Sequence, residues 1–273
     1  TMFEELVPLL AGNYLLFSMD KSLKPEPTCY WQPEPEIYKD ISFSEAVAHV
    51  RELFLKNIRL HLRSDVPVGA ALSGGIDSSS IVMAMREIQG SQLDLHTFSY
   101  IADDSQLSEE VWIDQINSCS SAQAHKIYTD AAGLVQSMKH LIYMQDEPFN
   151  STSIYAQHRV FRLANQTGIK VMLDGQGADE FLGGYRYYMA ARLASLIRQG
   201  KLVAAQAFLR KVLQQPGVNA KWLVSLGLGF LVPQSLQPMI MPLAGEGLWK
   251  PWMNETWFKE RNAQPEIFSS TQG

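Results

Sequence analysis

Two short segments of the chain concentrate residue types that do chemistry. The first is Leu72-Ser73-Gly74-Gly75-Ile76-Asp77-Ser78-Ser79. A polyphosphate needs backbone N–H groups at close range; glycines let the backbone approach, and a helix that opens directly after them presents unsatisfied donors and partial positive charge. Ser73, Ser78 and Ser79 add short hydroxyls. Asp77 would repel a phosphate directly, so its use there is as a ligand for a bridging magnesium ion. A bare Ser-Gly-Gly is most simply a turn with Asp77 as a helix cap, whereas the full octapeptide after an apolar run favours the phosphate reading. It lacks the lysine of a Walker P-loop and the spacing of the dinucleotide fingerprint.

The second segment runs from Leu173 through Asp174-Gly175-Gln176-Gly177-Ala178-Asp179-Glu180-Phe181-Leu182-Gly183-Gly184 to Tyr185. Its glycines permit close backbone approach, and Asp179 and Glu180 place two carboxylates where the chain turns toward a helix. Such a loop is also a common helix start. With Asp77 these carboxylates could complete a magnesium shell that phosphate and water share.

Elements of alternating period must position these segments. From Ser44 to about Leu62 apolar residues recur at helical spacing, with Ser42 or Ser44 as the cap. Val66–Leu72 is a near-continuous apolar run of strand length, and a helix follows from about Asp77 to Ile88. Strands over Leu93–Tyr100 and Ala124–Tyr128 alternate with helices over Glu109–Cys119 and Ala131–Tyr143. A helix over Ser153–Gln166 then leads through Gly168 into a buried strand, Ile169–Leu173. This order predicts an α/β fold, a parallel twisted sheet with helices on both faces and ligands at the carboxyl ends of the strands, followed by a helical extension. Beyond Gly184 the pattern is helical over Tyr185–Gln199, Leu202–Gln214 and Ala220–Val232.

Residues 1–40 hold five prolines and short strand-like pieces at Tyr14–Phe17 and Cys29–Trp31. They read as a linker or the remnant of another domain. The expected organisation is therefore 1–40 linker, 41–200 nucleotide domain and 201–273 helical extension, unfinished at its C-terminus. Thr1 ahead of Met2 and the Ser-Ser-Thr-Gln-Gly ending support the expectation of a slice from a longer chain.

Composition narrows the function classes. The 273 residues are 46% apolar and 19% charged, with 23 basic and 28 acidic side chains, figures that argue against disorder. A net charge of −5 without a run of five or more like charges argues against a dedicated nucleic-acid or membrane-surface binder. Cys29 and Cys119 stand far apart, giving neither a disulfide framework nor a zinc signature, and a reducing cytoplasm fits best. The longest apolar run, Trp222–Val232, is about half of the roughly 20 residues that a membrane helix needs.

The two loops together resemble a known family. Ser73–Ser79 is similar to the SGGxDS pyrophosphate loop of the ATP pyrophosphatases (PP-loop, adenine nucleotide alpha hydrolase-like). With DGQGADEFLGGY about a hundred residues later, the chain resembles the synthetase domain of glutamine-dependent asparagine synthetase B and its relatives. Gln145-Asp146-Glu147-Pro148-Phe149, with Ser153–Arg162 behind it, is similar to the family's intervening stretch. The resemblance implies ATP and Mg²⁺ as cofactors, a small carboxylate and ammonia as substrates, and adenylation with pyrophosphate release. Leu72, Tyr100, Asp174 and Gly175 would meet the adenosine, and Ser73, Gly74, Gly75, Ser78 and Ser79 the pyrophosphate. Asp77 and Asp179 would hold magnesium, while Asp77, Gln176, Asp179 and Glu180 form the expected catalytic set.

There are departures from the family pattern. The glutaminase domain and its N-terminal catalytic cysteine are missing from this sequence, nothing after Met239 matches the family's arginine-rich ARVPFLD-like segment, and Gln176 stands where well-known asparagine synthetases carry glutamate. Aspartate is the default acid. A relative amidating another carboxylate (β-lactam, peptide or polysaccharide) stays open, as do an ATP-binding fragment without activity and a homodimer.

The remaining candidates read as structural. His49, His61, His96, His125, His140 and His158 show no ligand spacing, and Trp249, Trp252 and Trp257 read as packing or interface anchors. Met239 and Met241 read as gap fillers, Cys29 as an inert linker thiol and Cys119 as a buried helix residue.

Overall fold

The computed structural model describes residues 3, 5–17, 26–34, 41–102, 108–128, 131–149, 151–215, 217–232 and 253–261. The chain divides into two compact units, Thr1–Gly175 and Gln176–Gly273. The expectations for Met239, Met241, Trp249 and Trp252 lie outside the described residues.

In the first unit a short antiparallel pair, β1 (Asn13–Tyr14) and β2 (Thr28–Cys29), precedes α1 (Phe43–His61). A reciprocal capping box starts α1: the Glu45 N–H donates to Ser42 Oγ at 3.3 Å, and the Ser42 N–H donates to Glu45 Oε2 at 2.9 Å. The Ser42 hydroxyl, which donates to Glu45 Oε2 at 2.6 Å, and then the Ser42 N–H hold the Glu45 carboxyl below its usual range.

Strands β3 (Val68–Ala71), β4 (His96–Ile101), β5 (Gln123–Tyr128) and β6 (Val171–Leu173) form one parallel sheet in the order β5-β4-β3-β6. The helices α2 (Ile76–Gln89), α3 (Glu110–Ser120), α4 (Ala131–Gln145) and α5 (Ser153–Gln166) connect them. Alternation along β3 and β4 sends side chains to opposite faces. Val68, Ala70, Leu72 and Ile101 join a core with Ile58, Val82, Met85 and Ile113 from α1, α2 and α3. On the other face Phe98 packs with Val160, Ala164 and Ile169, which brings α5 against the sheet. The expected α/β fold with both faces covered is thus the one observed.

Gly69 makes this packing possible. A Cβ there would stand 2.8 Å from Phe98 Cε2 and 3.1 Å from Ile169 Cγ2, so only a glycine leaves room for the Phe98 ring across β3.

β4 starts three residues later than its apolar pattern suggests, because Gly90–Gln92 closes a 3₁₀ turn and the Arg86 guanidinium gathers the chain there. Arg86 Nε donates to Ser120 O at 2.6 Å, Nη1 to Gly90 O at 2.5 Å and Leu93 O at 3.0 Å, and Nη2 to Ser121 O at 3.3 Å. One side chain thereby satisfies carbonyls beyond the ends of both α2 and α3. Cys119 corrects its expected burial: it is exposed, because Ile113, Asn117 and Ser120 form the inward stripe of α3 and Cys119 falls beside it.

In the second unit α6 (Ala178–Leu182) is a single turn of helix that the glycine-rich reading did not separate from its loop. α7 (Arg186–Arg198), α8 (Leu202–Val212) and α9 (Ala220–Leu231) pack through Ala190, Leu193, Leu196, Ala205, Leu223 and Leu226. Arg186 and Arg198, at the two ends of α7, donate to Gly217 O and Phe230 O. Trp257 lies on a helix over Glu255–Glu260, with Arg261 over its ring. Among the described residues no helix is long and apolar enough to cross a membrane.

Candidate functional site

The chain runs from β3 outward through β4 to β5 and then crosses back to place β6 on the other side of β3, so the order reverses between β3 and β6. In an open parallel sheet the carboxyl edge beside that reversal is where ligands bind. The loop Leu72–Gly75 leaves β3 there, and Asp174–Gly175 leaves β6 there.

Each residue of the first loop is tightly specified. Leu72 is fully buried and its N–H donates to Phe98 O at 2.9 Å, so its backbone rather than its side chain faces the edge. Gly74 has φ +87°, and a Cβ on it would stand 3.1–3.2 Å from Glu109 O, Glu109 Cβ and Trp112 Cβ. A side chain is excluded on both counts. Gly75 caps α2 in an extended conformation without a side-chain hydrogen bond. The first N–H bonded back along the helix is that of Ser79, to Gly75 O at 3.1 Å. The N–H groups of Ile76, Asp77 and Ser78 therefore open toward the loop without partners among the described residues.

The hydroxyls are partly spent on the loop itself. Ser78 Oγ lies 3.2 Å from Ser73 N and 3.0 Å from Ser73 Oγ, and the Gly75 N–H donates to Ser73 Oγ at 3.3 Å. Ser79 Oγ is buried without a partner. An orphaned hydroxyl beside three free N–H groups fits an anion with several acceptor oxygens.

The structure brings the β6 loop against this one. A Cβ on Gly175 would stand 3.3 Å from both Asp77 Cβ and Ser78 N, so glycine lets the second backbone lie on the first turn of α2. Tyr100, on the α5 face of β4, is the last residue but one of the neighbouring strand, two residues beyond Leu72's partner Phe98.

Gln176, Asp179 and Glu180 belong to the second unit. Gly177 and Gly183 flank α6 at φ +92° and +73°, and Gly184 leaves the room that the Asp179 carboxylate occupies, its N–H donating to Asp179 O at 3.0 Å. Tyr185 Oη donates to Glu180 Oε1 at 2.8 Å, and that bond raises the Tyr185 pKa above its usual value. Among the described residues no group of three or more His, Cys, Asp or Glu assembles that could hold a metal ion.

A buttress behind the first loop was not evident from motifs. Lys126 on β5 bonds Glu110 Oε1 at 2.8 Å and Asp114 Oδ1 at 2.6 Å, and Tyr128 Oη donates to Glu110 at 2.7 Å. Burial alone would lower the Lys126 pKa, but the bonds to Asp114 and Glu110 carry it above its usual value. They fix the start of α3, whose preceding residue Glu109 abuts Gly74.

The histidines also pair in ways their spacing hides. His96 Nδ1 and His125 Nε2 are 2.9 Å apart across β4 and β5, and Phe98 stacks on His125 at 4.8 Å between centroids. Burial, and then the charge of His96, hold the His125 pKa below its ordinary value. Between the two values the unfolded chain binds more protons, so stability present above a pH of about 6.5 falls as pH drops toward the folded pKa. The urea midpoint is expected to fall from pH 7.5 to pH 5.5, and to fall less in His125→Gln; equal losses would remove His125 from that account.

Residues 49–229 match the family model described as asparagine synthase. The chain belongs to the asparagine synthase family. The putative asparagine synthetase (glutamine-hydrolyzing) 2 of Methanocaldococcus jannaschii is 30% identical over 200 residues, covering 73% of this chain and 38% of that protein. Amidase chry2 of Gibberella zeae is 31% identical over 214 residues, covering 71% and 31%. The chain thus spans about a third of the length of these relatives. An NH3-dependent NAD synthetase from Campylobacter jejuni superimposes with a TM-score of 0.36 and 15% identity, covering 79% of this chain and 99% of that one.

Proposed function

We propose that the chain is the ATP-using part of an amidotransferase of the asparagine synthetase type, a carbon–nitrogen ligase. A substrate carboxylate oxygen attacks the α-phosphorus of ATP and pyrophosphate leaves. Ammonia, supplied from glutamine by a glutaminase domain, then attacks the acyl carbon, AMP leaves and an amide forms. The observation that carries this reading is the set of free N–H groups on Ile76, Asp77 and Ser78, with Gly175 laid against them.

In this reading Ser73, Gly74, Gly75, Ser78 and Ser79 hold the pyrophosphate, while Leu72, Tyr100, Asp174 and Gly175 line the adenosine. The fixed donors are aimed where charge collects on the leaving group, so little reorganisation is needed as the bond breaks. Asp77 is the carboxylate assigned to Mg²⁺, and Asp179 carries the same assignment in the second unit. When bound, magnesium would supply charge neutralisation on the phosphates. Gln176 and Glu180 complete the acidic loop.

Asp77→Ala is expected to lose the Mg²⁺-dependent part of ATP binding, about tenfold in affinity, in a calorimetric titration. Unchanged affinity overturns the role of Asp77. The acid is identified by pyrophosphate release across a panel of carboxylates, with aspartate the default. A second reading, amidation of a different carboxylate, is favoured by Gln176 and by the amidase-named relative. Silence with aspartate and release with another acid would select it.

A further inference from the structure

Helix α5 carries donors that neither loop uses. Tyr155 is only 4% exposed, yet its hydroxyl has no hydrogen-bond partner. One turn on, Arg159 Nε is also buried without a partner, and the guanidinium lies 5.9 Å from the centre of the Tyr155 ring. Leaving such groups unpaired costs about 1–3 kcal/mol for a neutral group and more for a charged one, so native proteins seldom do it without cause.

Further basic side chains stand nearby on α4 and α5. His140 on α4 stands edge-on to His158 at 5.7 Å between centroids. His158 is held below its usual pKa first by burial and then by His140, Arg162 and Arg159, and among the described residues no carboxylate counters them. Among the described residues neither Arg159 nor Arg162 has an ion-pair partner.

The pair stands toward the sheet's carboxyl edge. α5 ends at Gln166, five residues before β6 opens, so its last turn lies at the amino edge and its first turns at the carboxyl edge. Tyr155 precedes Val160, the residue packed with Phe98, by about 7–8 Å of helix rise. It is therefore near the level where β4 ends.

We propose that Tyr155 and Arg159 form an oxyanion-binding site, for a carboxylate or a phosphate group, built from α5 and separate from the glycine loop. The Tyr155 hydroxyl and the Arg159 guanidinium each donate to the anion, and the charge of Arg159 and Arg162 on α5 is balanced when it binds.

The test titrates the full chain with inorganic phosphate, and separately with succinate and acetate, at constant ionic strength, following thermal stability. Wild type is expected to be stabilised by at least one probe. Arg159→Gln should bind that probe at least tenfold more weakly, and Tyr155→Phe several-fold more weakly. Without anion, Tyr155→Phe should be no less stable than wild type, because it removes a buried hydroxyl that has no partner. Phosphate alone active points to a phosphate group, and succinate or acetate active to a carboxylate. Affinity for ATP should stay within about twofold in both variants. No probe binding to wild type, or equal probe affinity in wild type and both variants, overturns the site. A parallel loss of ATP affinity assigns the donors to the nucleotide and overturns its separateness. A wild type that binds the probe but not ATP would refute the proposed function while leaving this site standing.

Discussion

Gly74→Ala is expected to weaken ATP binding by about a hundredfold. At φ +87° an L side chain costs about 1–2 kcal/mol, and the added methyl presses on Glu109 and Trp112 at 3.1–3.2 Å, overpacking that costs about 1–3 kcal/mol. Together these come to roughly 3 kcal/mol, and every 1.4 kcal/mol is about tenfold in affinity. Glu109 cannot retreat easily, because Lys126 and Tyr128 hold the next residue. The loop must yield, and with it the aim of the N–H groups behind Gly75. Gly168→Ala is the control: its φ is +82°, but nothing lies within 4 Å of the new methyl. It bears the backbone cost without the crowding or the site. Calorimetry showing wild-type ATP affinity in Gly74→Ala would sink the loop as a phosphate cradle.

Phe98→Ala should be the most damaging core change, at roughly 3–5 kcal/mol. The ring is fully buried and is the residue through which α5, Ile169 and Gly69 meet. Because Gly69 offers no side chain to collapse into the space, little of the cavity can close. The ring also covers His125, so its loss wets that imidazole and shrinks the stability difference between pH 7.5 and pH 5.5. Urea unfolding of the first unit at both pH values measures both effects; a loss below about 1 kcal/mol would show that the β4–α5 seam repacks.

Much of this arrangement was legible in the chain because it is written in local periods. The Ser153–Gln166 helix, and a serine cap at Ser42 or Ser44 of which the structure uses Ser42, follow from apolar spacing and capping chemistry, which are properties of neighbours. The SGGIDSS loop was legible for the same reason. What stayed hidden depends on pairing between distant segments. His96 and His125 meet only because β4 and β5 pair in a register that sets Phe98 opposite His125. The contact of Gly175 with Asp77 requires β6 to lie beside β3, and Cys119 was misjudged because the stripe it narrowly misses is defined by what α3 packs on. Tyr155 and Arg159 have visible i, i+4 spacing, but their missing partners are a property of the folded interior.

Arg86 has a consequence for how the first unit comes apart. A single guanidinium stoppers the ends of α2 and α3 and the turn into β4, so fraying at any one of them removes the donor the others share. Local opening there is cooperative. The edge of the sheet opposite the glycine loop thus behaves as one latch, and the stiffness of the α2 helix, whose first turn adjoins the glycine loop, is set in part by a side chain near its far end.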